Sequence, residues 1–258
     1  MNYTICVLLY GDYPDLALRC LKPLLPFIGK VDLRIGMNAV GERTKSMVGE
    51  LLDLYADKIH VHESSENILK YPMMRRLLYD PTWPKLQDYV MWFDDDSCIT
   101  SKIPMNWFWC LDADIERADM LGSLYSICLT GNQHLWIRDQ PWFNHKPVEK
   151  NQKVTFATGG WWVIRSSILK KFNWPVPELR HRGGDVMLGE LCRQHHLRLE
   201  NRHYEVAINA DDKLRDSKSP RRGFDSKPIG SDYDPGPAAL LVLDNVPEPV
   251  RPRINLDL

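Results

Sequence analysis

The chain has 258 residues, of which 44% are hydrophobic and 26% are charged, an ordinary globular composition with enough apolar residues for one large core. Its formal net charge of −1 excludes a global attraction to nucleic acid or acidic membranes, although it leaves room for a local basic face. No segment reaches the roughly 18 apolar residues of a membrane span, and the first residues lack the pattern of a secretory signal. We therefore expect a cytoplasmic protein.

The six cysteines are scattered and include no C-x-x-C pair. Each lies in or beside an apolar stretch, which favours buried free thiols over metal binding or a disulfide framework. Free thiols fit a reducing compartment.

Apolar runs alternate with amphipathic segments over the first hundred residues. The β-prone runs at 3–10, 31–37, 58–62 and 89–93 predict strands, and helical spacing predicts helices at 15–25, 42–56 and 73–78. This alternation indicates βαβ crossovers and a mostly parallel sheet covered on both faces. Ligands bind beyond the carboxyl ends of such strands, so the ends of these runs are the expected site.

The later part of the chain is less regular. Residues 154–165 predict a strand that enters a glycine turn and resumes, and residues 185–195 predict a helix. From Asp211 onward Pro, Gly, Ser and charged residues dominate, which predicts one principal domain at 1–210 followed by a flexible basic loop and tail at 211–258. Two interpretations of this segment are possible. It is either a loop that closes basic side chains over a diphosphate or a solvated charged tail.

Three adjacent carboxylates, Asp94, Asp95 and Asp96, directly follow the apolar run at 89–93. Like charges at the edge of a sheet repel one another, which costs stability unless a cation binds there. Along an extended backbone Asp94 and Asp96 point to the same side, so together they could hold one hard ion, Mn²⁺ or Mg²⁺, that bridges a diphosphate. A solvated acidic turn or helix cap is the alternative.

The strand end Phe93-Asp94-Asp95-Asp96 resembles the D-x-D motif of GT-A glycosyltransferases, especially of the family 2-like branch. The order and spacing of motifs extend this resemblance over about residues 3–205. It implies an α/β fold with a GT-A type, Rossmann-like central sheet flanked by helices, and a smaller acceptor-side region. It also implies that Asp94 lies near the nucleoside ribose and Asp96 carries the metal, with Asp95 among the donor-binding residues.

The segment at 157–162 combines two glycines with two tryptophans. Glycine lets the backbone approach a ligand closely, and an indole face suits the C–H face of a sugar ring. Strand alternation sends Trp161 and Trp162 to opposite sides, so one of them is expected in the core. Similar GT-A enzymes shape the donor-sugar and acceptor pocket with a glycine-rich turn here, which implies donor binding by Gly159, Gly160 and Trp161.

Asp185 opens a helical segment directly after Gly183 and Gly184. A helix cap, stabilising by about 1 kcal/mol, is one explanation. The position also resembles that of the acidic residue that deprotonates the acceptor hydroxyl in inverting GT-A enzymes, which implies that Asp185 is the general base. The usual Glu-Asp pair is Gly184-Asp185 here, and Glu190 is a weaker substitute.

Donor selection is expected at the first strand ends, as in the family members that the chain resembles. Lys70 and Arg75 are candidates for contacts to phosphate or base, with an ordinary surface role as the alternative for each. Several GT-A families use a histidine near the position of His203 as an additional metal ligand, and a structural histidine is the alternative. The expected contacts to base and ribose are Tyr10, Asp12 and Asn38.

These features predict a metal-dependent, inverting glycosyltransferase that uses a nucleotide diphosphate sugar, by analogy a UDP-sugar, and an acceptor hydroxyl. The acceptor is open between a hydroxymethylated DNA base, which residues 180–202 and the basic tail would contact at phosphate, and a glycan. Trp136 and Trp142 are candidates to stack on a sugar or an unpaired base. A catalytically silent nucleotide-sugar-binding protein and a nucleotidyltransferase are the alternatives, although Gly11-Asp12-Tyr13-Pro14 is poor in glycine for a phosphate loop.

Overall fold

The computed structural model describes residues 2–55, 58–129, 133–181 and 183–208, so the predicted flexible loop and tail at 211–258 lie outside the described residues. The strands are β1 (Tyr3–Gly11), β2 (Asp32–Val40), β3 (Ile59–Ser64), β4 (Tyr89–Asp94), β5 (Cys98–Ile99), β6 (Met120–Cys128), β7 (Lys153–Arg165), β8 (Leu199–Asn201) and β9 (Val206–Ala207). The helices are α1 (Pro14–Leu21), α2 (Glu42–Tyr55), α3 (Lys70–Tyr79), α4 (Pro104–Ile115), α5 (Gln133–Arg138), α6 (Ser166–Phe172) and α7 (Gly184–Gln194).

A seven-stranded sheet in the order β3-β2-β1-β4-β7-β6-β8 forms the centre of the fold. The strands β3, β2, β1 and β4 are parallel, as the predicted βαβ crossovers require. β7 runs antiparallel to both β4 and β6, and β8 is parallel to β6. The predicted mostly parallel α/β sheet is confirmed, with an antiparallel strand inserted in its second half. A small second sheet pairs β5 with β9.

The four predicted strands and the helices of the first hundred residues are confirmed, with shifted boundaries. The first helix ends at Leu21, four residues earlier than predicted, and a 3-10 turn at Leu25–Phe27 follows it. Pro23 and Pro26 explain this break, because proline cannot donate the backbone hydrogen bond that continues a helix.

The predicted glycine turn is instead part of one long strand. β7 runs unbroken from Lys153 to Arg165, but Gly122 pairs with Trp162 while Leu124 pairs with Ala157. Four residues of β7, 158–161, therefore lie opposite a single residue of β6, which makes a large bulge at the two glycines. A bulge bends the strand locally and redirects its backbone without ending it.

Two hydrophobic clusters cover the two faces of the sheet. Trp162 packs with Trp92 and Trp174 on one face, and Trp161 packs with Phe93 and Trp107 on the other. The predicted alternation of Trp161 and Trp162 is confirmed. The prediction that only one belongs to the core is wrong, because both faces of the sheet are covered and both side chains are buried.

The six cysteines are free thiols, as predicted. Cys6, Cys20, Cys98 and Cys192 are buried, but Cys110 and Cys128 are exposed, so burial was predicted correctly for four of them. Within the residues described, no helix has the length and apolar character needed to cross a membrane.

Candidate functional site

The carboxyl ends of the parallel strands and the bulge of β7 meet at one edge of the sheet. In the parallel pairs Tyr10 lies beside Asn38, and Leu8 lies beside Asp94. Since β7 is antiparallel to β4 with Phe93 opposite Trp161, the glycines that precede Trp161 extend past the end of β4. The sheet therefore brings the acidic segment and the glycines together, as predicted.

The three aspartates form a turn rather than an extension of β4. The Ser97 amide donates to the Asp94 carbonyl at 3.0 Å, which places Asp95 and Asp96 at the two central positions of a β-turn. Both are buried, at 5% and 4% exposure. The Tyr10 amide donates to Asp95 Oδ2 at 3.3 Å, and Ser97 Oγ donates to Asp96 Oδ1 at 3.4 Å. The argument that Asp94 and Asp96 point the same way along extended backbone therefore fails.

Lys70 forms an ion pair with Asp94, the first residue of this turn. Its Nζ lies 2.6 Å from Asp94 Oδ2 and 2.6 Å from the Gly159 carbonyl oxygen, joining the end of β4 to the bulge of β7. Trp92 Nε1 donates to Asp94 Oδ1 at 2.9 Å, and the Lys70 ammonium lies 5.6 Å from the centroid of the Trp92 ring. Lys70 is 9% exposed. The predicted phosphate-binding lysine is thus an internal partner of Asp94.

Asp185 faces the same glycine. An ideal Cβ on Gly159 would lie 3.8 Å from Asp185 Oδ2 and 3.1 Å from Lys70 Nζ, so both charged groups border the space above this glycine. Asp185 Oδ1 accepts from the Val186 amide at 2.9 Å. Burial raises the pKa of Asp185, and the Val186 amide and the charge of Lys70 offset part of that rise. The pKa of this carboxylate is therefore raised, which is the direction of shift that suits a general base.

Tyr71 fixes the start of α7 and was not predicted from the sequence. Its ring is buried against Gly184, whose position leaves no room for a side chain. The Tyr71 amide donates to the Arg180 carbonyl at 3.1 Å, in the loop that leads to α7. The only sequence signal was its position next to Lys70, since the two residues share the first turn of α3.

Asn38 is buried and bonds the loop before α3, and it does not face the site. It is 2% exposed, its Nδ2 donates to Asn67 Oδ1 at 2.9 Å, and its Oδ1 accepts from the Ile68 amide at 2.9 Å. Asn67 Oδ1 also accepts from the Leu69 amide at 2.9 Å. Both ends of the Asn38 amide thus hold the loop before α3, which leaves the predicted contact to base or ribose without support.

Asp12 likewise stabilises the protein at the edge of the site. Its Oδ1 accepts from the Thr44 amide at 3.0 Å near the start of α2, and its Oδ2 pairs with Arg43 Nε at 2.9 Å. These bonds hold the pKa of Asp12 below its ordinary value. The carboxylate remains at the rim, with 37% of the side chain exposed.

Arg75 and His203 are not brought to the acidic turn. Arg75 donates to Asn173 and to the carbonyl of Pro175, and it lies over the Tyr79 ring. His203 is exposed and contacts Asn201.

The strand register explains the position of His203. The antiparallel pair of β5 and β9 joins Cys98 to Ala207 and Ile99 to Val206, and the Thr100 amide donates to the Glu205 carbonyl. Residues that directly precede Val206, such as Glu205, therefore lie beside positions that follow Ile99 and are directed away from Asp96. The predicted metal ligation by His203 together with Asp96 is not supported.

The tryptophans proposed as sugar or base platforms are core residues. Trp161 is 0% exposed and Gly160 is buried, so neither presents a surface to a donor, and of the proposed donor-binding trio only Gly159 faces the site. Trp136 and Trp142 are each 3% exposed. Apolar packing on both faces of the sheet accounts for these corrections.

Glu190, the weaker substitute for the base, belongs to a buried network. It is 0% exposed, pairs with Arg193 Nη2 at 2.6 Å, and accepts from Gln194 Nε2 at 2.8 Å. Gln194 in turn accepts from the amides of Asn144 and Lys146, so this network holds the loop after α5.

The carboxylates of the turn suit a hard cation in their chemistry but do not form a complete site. In the part of the chain that the structure describes, no three His, Cys, Asp or Glu side chains come close enough to hold a metal ion. Mg²⁺ is commonly bound by one or two carboxylates, with substrate phosphate and water as the other ligands. The described residues therefore fit a divalent ion that arrives with a diphosphate.

No protein-family model matches the sequence, and no curated protein does. Solved structures do show a similar fold. The chain is similar to the mannosyltransferase PcManGT from Pyrobaculum calidifontis in complex with GDP-Man and Mn²⁺, with 13% identity and a TM-score of 0.52 over 79% of this chain and 55% of that one. It is also similar to GalNAc-T7 with UDP, GalNAc and Mn²⁺, with 11% identity and a TM-score of 0.55 over 78% of this chain and 41% of that one.

A third similar structure is TarS from S. aureus, with 12% identity and a TM-score of 0.50 over 79% of this chain and 35% of that one. The chain spans about half of these proteins, or less. At such identities the likeness concerns the fold alone, and it confirms that the chain has a GT-A type, Rossmann-like fold.

Proposed function

We propose that the protein is a glycosyltransferase that moves a sugar from a nucleotide diphosphate sugar to an acceptor hydroxyl, with Asp185 as the general base. The observation that carries the proposal is the space above Gly159, which is bordered by Asp185 and by Lys70, the ion-pair partner of Asp94. A donor anchored at the acidic turn would place its sugar beside this glycine. An acceptor hydroxyl beside Asp185 would then be activated where the sugar is transferred.

In the proposed reaction Asp185 accepts one proton, that of the acceptor hydroxyl. As the acceptor oxygen forms its bond to the anomeric carbon, the bond from that carbon to the diphosphate breaks, and the proton passes to Asp185 Oδ2. A single base suffices when the leaving group is a diphosphate, which needs charge stabilisation and no general acid. Direct displacement of this kind inverts the anomeric configuration, so an inverting reaction is part of the proposal.

The proposed cation site consists of Asp96 and the donor's own oxygens, with Asp95 positioned by the Tyr10 amide. When bound, Mn²⁺ or Mg²⁺ would neutralise the charge that develops on the leaving diphosphate. The similar structures hold Mn²⁺ with GDP-Man in one case and with UDP in another. They support a nucleotide-sugar donor, and a UDP-sugar remains the donor that we propose by family analogy.

The acceptor is proposed at the level of a hydroxyl group, with a glycan favoured over DNA. Three arginines between residues 180 and 202 are paired with carboxylates: Arg193 with Glu190, Arg198 with Glu200, and Arg202 with Asp114. Arg202 is also 1% exposed. Paired or buried arginines contribute little to phosphate binding, so the proposed DNA-facing segment loses much of its support.

A thermal-shift panel of nucleotide sugars with and without Mn²⁺ tests the proposal, because a ligand raises the melting temperature only if the native state binds it. We expect one nucleotide sugar to stabilise the protein and to release its nucleotide diphosphate slowly in the presence of Mn²⁺. If no nucleotide sugar shifts the melting temperature, the proposal is wrong.

The same panel separates the alternatives. Stabilisation by a donor without any release of nucleotide diphosphate, even with a library of acceptor glycans, would identify a silent binder. Release of pyrophosphate from a nucleoside triphosphate would identify a nucleotidyltransferase.

A further inference from the structure

Two adjacent residues at the start of α3 depart from local conformational rules. Leu69 has φ 73° and ψ 170°, a region that residues other than glycine rarely occupy and that costs about 1–3 kcal/mol. Lys70 is the first residue of α3, where the positive end of the helix dipole disfavours a cation, and no side chain caps this end. Such departures persist only where the surrounding structure imposes them, and they concentrate at functional sites.

The surrounding structure does impose them. Asn67 Oδ1 accepts from the Leu69 amide at 2.9 Å, and Asn38 holds Asn67 and the Ile68 amide in place. Leu69 itself is 5% exposed, so its side chain is fixed in the core. This arrangement sets the direction of the next side chain, that of Lys70. Its ammonium group contacts Asp94 and the Gly159 carbonyl.

This lysine changes what Asp94 can bind. Both oxygens of the Asp94 carboxylate already accept hydrogen bonds, Oδ2 from the Lys70 ammonium at 2.6 Å and Oδ1 from Trp92 Nε1 at 2.9 Å. A divalent ion on the same carboxylate would lie within a few ångströms of the ammonium charge in a largely buried setting, where repulsion between like charges is screened little. Lys70 is buried, and the carboxylate that neutralises it is partly buried, with 24% of the Asp94 side chain exposed.

We propose that Lys70 reserves Asp94 as an acceptor within the donor pocket and excludes the divalent cation from it, so that Asp94 is not a metal ligand. The inference deepens the proposed function, on which it rests, by dividing the acidic turn into two parts. Asp94 pairs with Lys70, which also bonds the Gly159 carbonyl in the bulge of β7. Asp96 remains the carboxylate proposed to bind the cation. Lys70 is therefore a positioning residue that acts through Asp94.

Direct measurement of Mn²⁺ binding by electron paramagnetic resonance, with UDP present and absent, tests this inference without any turnover. Removing the ammonium in Lys70→Met should expose Asp94 and tighten Mn²⁺ binding by about tenfold, the effect of one nearby charge. Asp94→Asn in the otherwise unchanged protein also removes one nearby charge and should weaken Mn²⁺ binding by up to about tenfold. Asp96→Asn removes a proposed ligand and should weaken it considerably more. The double variant Lys70→Met/Asp94→Asn should lose the gain.

Lys70→Arg, which keeps the positive charge, is the matched control and should retain the Kd of the unchanged protein. The inference is overturned if Asp94→Asn weakens Mn²⁺ binding as strongly as Asp96→Asn, or if Lys70→Met leaves the Kd unchanged. Should Lys70→Met not fold, the comparison of Asp94→Asn with Asp96→Asn decides alone. A protein that shows the expected Kd pattern but transfers no sugar would end the proposed function and leave this inference intact.

Discussion

Tyr71 occupies the space that any side chain at Gly184 would need, since a Cβ there would overlap Cζ and Oη of the tyrosine ring. The resemblance to inverting GT-A enzymes has one conspicuous departure, Gly184 in place of the glutamate that usually precedes the base. The overlap gives that departure a steric cause. In this chain the buried tyrosine, rather than an acidic side chain, holds the start of α7 in place.

Gly184→Ala should therefore destabilise the protein by about 1–3 kcal/mol, because the added methyl group overpacks a buried contact. Gly49→Ala is the matched control, since Gly49 lies in α2 with nothing near its Cβ position, and this change should stabilise by about 0.5–1 kcal/mol. Urea denaturation measures both. Equal stabilisation by the two substitutions would show that Tyr71 does not occupy this space.

Asp185→Asn should lower transferase turnover by about 10²–10⁴-fold, the usual effect of removing a general base. The substitution keeps an oxygen for the Val186 amide, so a loss of activity cannot be attributed to a lost helix-end bond. Asp53→Asn, on the exposed side of α2, is the control and should retain full turnover. Wild-type rates in Asp185→Asn would remove the base from the proposal.

Burial raises the pKa of Asp185, and this direction determines how turnover and stability should change with pH. Because the base must be ionised, the turnover number should fall on the acid side at a pH above the ordinary aspartate pKa of about 3.9. The folded state favours the protonated form, so stability from this group is present at low pH and is lost as the pH rises through the raised pKa.

Asp185→Asn should therefore have a melting temperature at neutral pH that is equal to or above that of the unchanged protein, and any gain should vanish near pH 4. Melting curves from pH 4 to pH 8 measure this difference. A variant less stable at neutral pH than at pH 4, relative to the unchanged protein, would contradict the assigned direction of the pKa.

Mn²⁺ and the donor nucleotide should stabilise the protein together far more than either does alone. The described residues offer no complete metal site, so the diphosphate must supply ligands. At 100 times its Kd a ligand stabilises by about 2.7 kcal/mol. Melting temperatures measured over a grid of Mn²⁺ and UDP concentrations test the coupling. Strong stabilisation by Mn²⁺ alone would indicate a resident metal site that this arrangement of carboxylates does not contain.

The edge of the sheet was predictable because it depends on strongly patterned segments. The apolar runs ending at Tyr10, Phe93 and Met37 lack polar alternation, which indicates buried parallel strands, and parallel strands place their carboxyl ends together. Asp94 lies at this edge for this reason, whereas Gly159 comes from the antiparallel strand β7 and Asp185 from the start of α7. The sequence pattern also predicted opposite directions for Trp161 and Trp162 from the alternation of side chains along a strand.

The internal bonds of the site could not be predicted in this way. Lys70 and Asn38 looked like ligand-binding residues because their charge and polarity were visible, while their protein partners lie 24 and 29 residues away. The turn at Asp95 and Asp96 depends on one backbone bond that the three identical side chains do not indicate. The role of Tyr71 depends on its contact with Gly184, which lies about 110 residues away in the sequence, and its only local signal is its position next to Lys70.

The bonds of Asp12 to Thr44 and Arg43 bear on how a donor would enter. They join the residues after β1 to the start of α2, so internal hydrogen bonds already hold this edge of the site. Ordering a flexible side chain on association costs about 0.5–1.5 kcal/mol. The Asp12 side chain is already ordered by folding, so binding need not supply this free energy for it. A nucleotide that binds at this edge should then meet a backbone that is already in place and needs little rearrangement.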